Sequence, residues 1–211
     1  MTSVYKMDHK NLNMKILHLI AESLKNGAII IYPTDTVYGI GGNALLSNVV
    51  LRIFEVKKRP LELPVPLAVN SILMANTLAH VSDEAEKLMK AFWPGPLTIV
   101  LKRKLIVPLE VTGGSDKVGI RMPNHLIPIK LMDLTRFPLV ATSANLHGLH
   151  NPTHIDEWVK KLGMDVDLII DTEEVLSGVP STVLDLTRKS FEILRKGPIS
   201  QKEIETIYYE R

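Results

Sequence analysis

Cysteine is absent from the 211 residues. Disulfides, thiolate zinc sites and a cysteine nucleophile are thereby excluded. Aromatic residues are scarce, at 5%, which argues against a protein that reads RNA by stacking bases on its side chains. Charge of one sign is not in excess either. With 23% charged residues and a formal net charge of +2, any anion site must be a local cluster. Long hydrophobic runs are missing. The first fifteen residues lack the apolar core of a signal peptide, and Ala28–Ile31 is far too short to span a bilayer. The expectation is a cytoplasmic protein with no membrane segment. No G-x-x-x-x-G-K-[ST] stretch occurs, so any handling of ATP does not use a P-loop.

What is present is 45% apolar sequence, enough for one substantial core. Leu12, Ile16, Leu19, Ile20 and Leu24 recur at helical spacing up to Gly27. Ala28–Tyr32 reads as a buried strand, and Pro33–Ala44 as a long polar loop. Ser47 is the expected cap of a second helix that ends at Lys57-Lys58-Arg59 before Pro60. Further strands are expected at Pro66–Val69, Leu97–Leu101, Val118–Met122, Leu139–Thr142, Leu168–Ile170, Thr182–Leu186 and Phe191–Leu194. Helices are expected from Ser82 to Phe92, around Ile127–Leu134, from Thr153 through Leu162, and after the Ser200/Glu203 capping box. Interspersed helices and strands define an α/β (α+β) class with a twisted mixed sheet. Strand order is not legible from this pattern.

Two motifs mislead. Gly39-Ile40-Gly41-Gly42-Asn43-Ala44 fits a loose dinucleotide pattern, but six residues separate it from the preceding strand, and Glu62 does not end a strand. His147, His150 and His154 suggest a metal face, but Pro152 interrupts the helical spacing and solvated loop histidines are the better reading. The informative features are polar clusters at strand ends: Thr34-Asp35-Thr36, Lys57-Lys58-Arg59, Thr112–Ser115 with Lys117, Arg121, Thr142–Asn145, Ser181-Thr182 and Arg195-Lys196-Gly197. Loops converge where strands of an open sheet end, and backbone groups there are free to bind. Hydroxyls, amides and several cations together suit a polyanion with a small polar ligand. From composition alone the reading stops at an anion-binding α/β domain.

The same residues carry a resemblance. Tyr32-Pro33-Thr34-Asp35-Thr36-Val37-Tyr38-Gly39-Ile40-Gly41, Lys57–Pro60, Trp93–Thr98, Val118–Pro123, Thr142–Asn145, Pro180–Val183 and Leu194–Pro198 occur in that order. Together they resemble the YrdC family of L-threonylcarbamoyladenylate synthases, in its minimal single-domain type, over about residues 10–205. The resemblance implies a mainly open twisted sheet with flanking helices around a large concave basic cavity. It implies formation of threonylcarbamoyl-AMP and pyrophosphate from ATP, bicarbonate and L-threonine, with Mg²⁺ on the phosphates, for threonylcarbamoyl-adenosine modification of tRNA. The partners implied are the tRNA-modifying transfer machinery and, possible in this family, tRNA or double-stranded RNA itself. By carry-over, Thr36, Asn70, Arg121, Ala141 and Ser181 would contact threonine. Lys57, Arg59, Lys117, Ala141, Ser143, Asn151 and Arg195 would contact ATP, with Arg59 and Arg121 as the catalytic cations. Asn70 stands where histidine is common in the family, and Thr142 where proline is frequent. A non-catalytic RNA-binding module is the alternative reading. A carbamoyl-transfer module of the hydrogenase-maturation type is a third, disfavoured because those proteins embed the domain beside cysteine-rich zinc motifs.

Overall fold

The structure is a computed structural model that describes residues 2–146, 148, 165–172 and 176–210. The helix expected from Thr153, together with Asn151, His147, His150 and His154, lies outside the described residues.

Two sheets organise the chain. The first has the order β1 (Ser3–Lys6), β10 (Leu168–Asp171), β2 (Ile30–Tyr32), β3 (Gly39–Gly41), β9 (Thr142–Ser143). The second runs β12 (Glu192–Arg195), β11 (Thr182–Asp185), β6 (Leu97–Arg103), β7 (Lys117–Arg121), β4 (Leu67–Ala68), β8 (Leu139–Val140), with β5 (Ala79–His80) against β6. Both sheets mix parallel and antiparallel pairs. β10 is parallel to β1 and β2, and β11 to β6, while β2/β3 and β6/β7 are antiparallel. β1 is an edge strand, paired only with β10 among the described residues.

Local chemistry explains most boundaries. Asn13 caps α1 (Met14–Lys25) by accepting from the Lys15 and Ile16 amides, and Gly27 turns the chain at φ 86°. Successive residues of β2 then serve opposite faces, as strand geometry requires. Ile29 and Ile31 join a core with Ile40, Ile53, Leu67, Ile99 and Ile120. Ile30 and Tyr32 pack instead with Leu17, Ile20 and Leu24 of α1 and with Ile127 and Leu131 of α6 (Leu126–Thr135). Ser82 caps α4 (Asp83–Phe92) as expected, and Ser200 with Glu203 forms a reciprocal capping box on the last helix, α7 (Gln201–Tyr208).

Four local expectations are corrected. The loop expected over Pro33–Ala44 contains β3, whose Gly41 is required because a Cβ there would lie 2.0 Å from the Val140 carbonyl oxygen. That close backbone approach, not a phosphate, explains the glycine-rich stretch. Ser47 is not a cap: α2 (Ser47–Lys57) is preceded by Leu46, and the Ser47 hydroxyl donates at 3.1 Å to Oε2 of Glu110, which lies on the short helix α5 (Leu109–Thr112). A helix capped by Ser71, α3 (Ile72–Leu78), was not expected. Finally, the strand expected over Leu139–Thr142 breaks at Ala141. Its amide donates to the Pro66 carbonyl at 2.8 Å, so Leu139–Val140 pairs in the second sheet and Thr142–Ser143 in the first.

Candidate active site

Where the chain switches sheets, a cavity of about 530 Å³ opens between them. Three strands of the second sheet give it a floor by simple alternation. Thr98 and Val100 of β6, Lys117, Gly119 and Arg121 of β7, and Val183 and Asp185 of β11, with Ser181 just before it, face the cavity. Their neighbours Leu97, Ile99, Val118, Ile120 and Leu184 face the core. The other walls come from Thr34 and Thr36 after β2, Arg59 and Pro64–Pro66 after α2, and Ala141–Ser143 at the sheet switch. Among the described residues, four cations and one carboxylate line it: Arg59, Lys117, Arg121, Arg195 and Asp185.

Arg121 is the most constrained of these, with only 9% of its surface exposed. Its Nε donates to the Gly95 carbonyl at 2.9 Å, one terminal nitrogen to Thr36 Oγ1 at 2.8 Å, and the other to Asp35 Oδ1 at 2.5 Å. Asp35 also accepts from the Asn124 amide at 3.1 Å. A guanidinium carries five N–H groups. Among the described residues three of them have partners, which leaves one on each terminal nitrogen, and two such donors can meet the two oxygens of a carboxylate or phosphate. Burial lowers the Arg121 pKa, while the neighbouring Asp35 charge and hydrogen bond raise it. Burial pushes the Tyr32 phenol up, with the Arg121 charge opposing it.

Arg195 approaches from β12. Its Nε donates to the Ser181 carbonyl at 3.0 Å and a terminal nitrogen to Ser181 Oγ at 3.1 Å. Burial and then the Arg121 charge lower its pKa, so the two guanidinium groups repel across a shared space. An anion between them relieves that repulsion. Lys117 Nζ sits 2.9 Å from Asp185 Oδ2. Asp185 Oδ1 accepts from the Thr187 amide and hydroxyl at 2.7 and 2.6 Å. Burial raises the Asp185 pKa, but the Thr187 and Lys117 bonds outweigh it and hold the carboxyl below its usual value. Arg59 donates to the Leu63 and Pro64 carbonyls at 3.1 and 2.9 Å, which folds its own loop over the cavity edge.

The structure therefore brings Thr36, Arg59, Lys117, Arg121, Ala141, Ser143, Ser181 and Arg195 to one cavity. Two expected residues fall outside its lining. Lys57 is 1% exposed and donates to the Ser143 carbonyl, the Asn145 carbonyl at 2.7 Å and Asn145 Oδ1 at 3.3 Å. Burial, reinforced by the Arg59 charge, lowers its pKa to about 7. Its place is behind the wall, tying down the loop that carries Ser143. Asn70 donates to Asp133 Oδ1 at 2.8 Å on the side of α6, and the cavity wall near it is made by Ala68 instead. Asn151 lies outside the described residues. Sequence reasoning named Thr34 and Asp35 only as members of a polar cluster and Thr98 only as the end of a motif, without a role for any of them, and it missed Asp185. Thr98 and Asp185 follow from strand alternation once Ser181 and Arg121 are placed on the cavity side.

A twisted two-sheet α/β scaffold with two guanidinium groups facing one hydroxyl-lined cavity defines a class of site with the chemistry to hold small anions. The chain belongs to the Sua5/YciO/YrdC family, whose model, described as telomere recombination, matches residues 22–197. It is 42% identical over 192 residues to a threonylcarbamoyl-AMP synthase of Pyrococcus abyssi (strain GE5 / Orsay), an alignment that covers 90% of this chain and 56% of the relative. It is 34% identical over 196 residues to a putative threonylcarbamoyl-AMP synthase of Methanocaldococcus jannaschii, covering 93% and 92%. The crystal structure of P. abyssi Sua5 complexed with L-threonine superposes with a TM-score of 0.93 at 39% identity, over 98% of this chain and 61% of that one. The chain thus spans a little over half of the Pyrococcus relative. Among the described residues no helix is long and apolar enough to cross a membrane.

Proposed function

We propose that this chain carries the catalytic site of an L-threonylcarbamoyladenylate synthase. The observation that carries the reading is the Arg121 fork. It keeps two N–H groups without a partner among the described residues, lies beside Thr36 in the cavity lining, and shares that cavity with Arg195. The likeness to the L-threonine complex of P. abyssi Sua5 supports a threonine carboxylate as its ligand. In the proposed reaction, the threonine amine forms a C–N bond to bicarbonate, a C–O bond breaks and water leaves, giving a carbamate. A carbamate oxygen attacks the α-phosphorus of ATP, the bond to the β-phosphate oxygen breaks, and pyrophosphate leaves. Neither step needs a covalent enzyme intermediate. The protein's part is to gather three anions, which fixed cations do by offsetting repulsion, and to stabilise charge on the leaving group. Arg121 holds threonine, while Arg195, Lys117 and Arg59 serve the nucleotide.

Mg²⁺ is proposed to enter with ATP. Among the described residues no group of three acidic or histidine side chains could hold a metal, and Asp185 is already engaged by Lys117 and Thr187. Those residues fit an ion carried by phosphates and water, which is the usual habit of Mg²⁺, rather than a protein cage. The product would be consumed by a threonylcarbamoyl transfer to tRNA. Enclosure of the cations in a cavity favours small anions over a duplex, whose phosphates need an exposed track. The test is pyrophosphate release by the protein with Mg²⁺, ATP and bicarbonate. Release should require L-threonine and coincide with a product of the mass of threonylcarbamoyl-AMP. Release indifferent to threonine would sink the assignment.

A further inference from the structure

Deep in the cavity floor the Thr98 and Ser181 hydroxyl oxygens are 2.8 Å apart, and each residue is 4% exposed. A hydroxyl has one proton and two lone pairs, whereas a guanidinium only donates. Arg195 therefore fills one lone pair of Ser181 Oγ from 3.1 Å. The contact with Thr98 consumes one of the two hydroxyl protons, whichever residue gives it. The other proton meets no acceptor among the described residues. A buried hydroxyl left without an acceptor is costly, so such a group marks a place completed by a ligand. Thr98 is well placed to set the direction. It lies opposite Val183 of β11, one step past the Ile99–Ile120 pair that leads to Arg121. Its position between the two strands puts the pair between the Arg121 and Arg195 guanidinium groups.

We propose that Thr98 is a positioning residue that makes Ser181 an obligate donor. Thr98 gives its proton to Ser181 Oγ. Together with the Arg195 bond this fills both lone pairs of that oxygen. Ser181 then has only its proton to offer, and it aims that proton at a substrate oxygen carrying negative charge, of the carboxylate or carbamate class, held between the two arginines. The amine of the amino acid is refused at this point because Ser181 has no lone pair left to accept its N–H. This deepens the synthase reading and rests on it.

The test compares Thr98→Val, which keeps the shape and removes the hydroxyl, with Thr98→Ser, which keeps the hydroxyl, each alone and in a Ser181→Ala background. Threonine-dependent pyrophosphate release is measured with threonine binding by calorimetry. Thr98→Val should lower kcat/KM for threonine about tenfold, equivalent to ~1.4 kcal/mol, and Thr98→Ser should recover to within about twofold of wild type. In the Ser181→Ala background, Thr98→Val should change turnover less than about twofold, because its action runs through Ser181. A purely structural role predicts the opposite: additive losses and no rescue by serine. Active wild type with an unimpaired Thr98→Val, with strictly additive losses, or with a Thr98→Ser as damaged as valine would overturn the proposal alone. Wild type without threonine-dependent release would overturn the synthase reading and this inference together.

Discussion

Replacing Arg121 by lysine separates charge from geometry. Arg121 meets Gly95, Thr36 and Asp35 with three N–H groups and keeps two without a partner among the described residues, which the proposed function gives to the ligand. An ammonium has three N–H groups on a single atom. Even if the substituted ammonium kept Asp35 and Thr36, one N–H would remain, so at least one charge-assisted bond to the ligand is lost. Such a bond contributes about 1.5–3 kcal/mol, which corresponds to roughly a 10- to 100-fold weaker threonine affinity. Asp35 retains a positive neighbour, so the variant should fold. Arg121→Ala is harsher, since it strands the Asp35 carboxylate, whose side chain is 17% exposed. Breaking a buried pair in this way costs about 3–5 kcal/mol of stability. The assay is calorimetric titration of threonine and ATP separately, with turnover measured in parallel. If Arg121→Lys binds threonine as wild type does, or loses ATP instead, the two-point fork is not what Arg121 provides.

Three other outcomes are expected. Arg195→Ala should weaken ATP binding by about 1.5–3 kcal/mol with a smaller effect on threonine, and calorimetry showing ATP affinity intact in the folded variant would reduce Arg195 to a support for Ser181. Lys57 titrates near pH 7 in the fold but near about 10.4 when unfolded. Between those values the unfolded chain holds the extra proton, so stability should rise with pH across the window. Urea unfolding of wild type and Lys57→Met from about pH 7 to about pH 9.5, inside that window, should give a steeper rise for wild type, and parallel slopes would contradict the burial argument. Gly197→Ala would place a Cβ 2.4 Å from the Thr182 amide nitrogen and 2.6 Å from the Pro180 carbonyl. Backbone cannot yield as a side chain does, so a loss of about 1–3 kcal/mol is expected, together with reduced turnover as Ser181 shifts; a denaturation midpoint equal to wild type would refute the crowding.

The sequence reveals elements where local chemistry settles them. Ser82 and Ser200 have hydroxyls within reach of free amides, and Arg59 precedes a proline that no helix passes. It fails where partners distant in the chain decide. Gly39–Gly41 looks like loop because three residues flanked by glycine carry little strand propensity, yet pairing with β2 and β9 makes them a strand. Ala141 cannot announce from composition that its amide will reach Pro66. The site follows the same division. Motif residues such as Arg121, Ser143 and Ser181 are legible because the chemistry leaves a signature in residue type. Lys57 is legible as important but not as buried, since only the Ser143 and Asn145 carbonyls reveal which way its ammonium points. Thr98 is quoted only as the end of a motif and has no role until strand alternation puts it on the same floor as Arg121.

The one-residue passage at Ala141 gives the cavity a mechanical meaning. Ala141 is the joint where the chain leaves one sheet for the other, and the cavity is the gap beside that joint. On the proposed function, a threonine held by Arg121 and Thr36 would span from the second sheet to the first and act as a strut across the gap. A nucleotide reaching from Arg195 to Ser143 would brace the same opening from the other side. Each ligand then finds the joint already stiffened by the other and gives up less freedom on arrival. Cooperation between the two substrates would then follow from the joint they share, in addition to any direct contact between them, and its mark would be slower amide exchange at Ala141 and Ser143 with both ligands than the two separate effects combined.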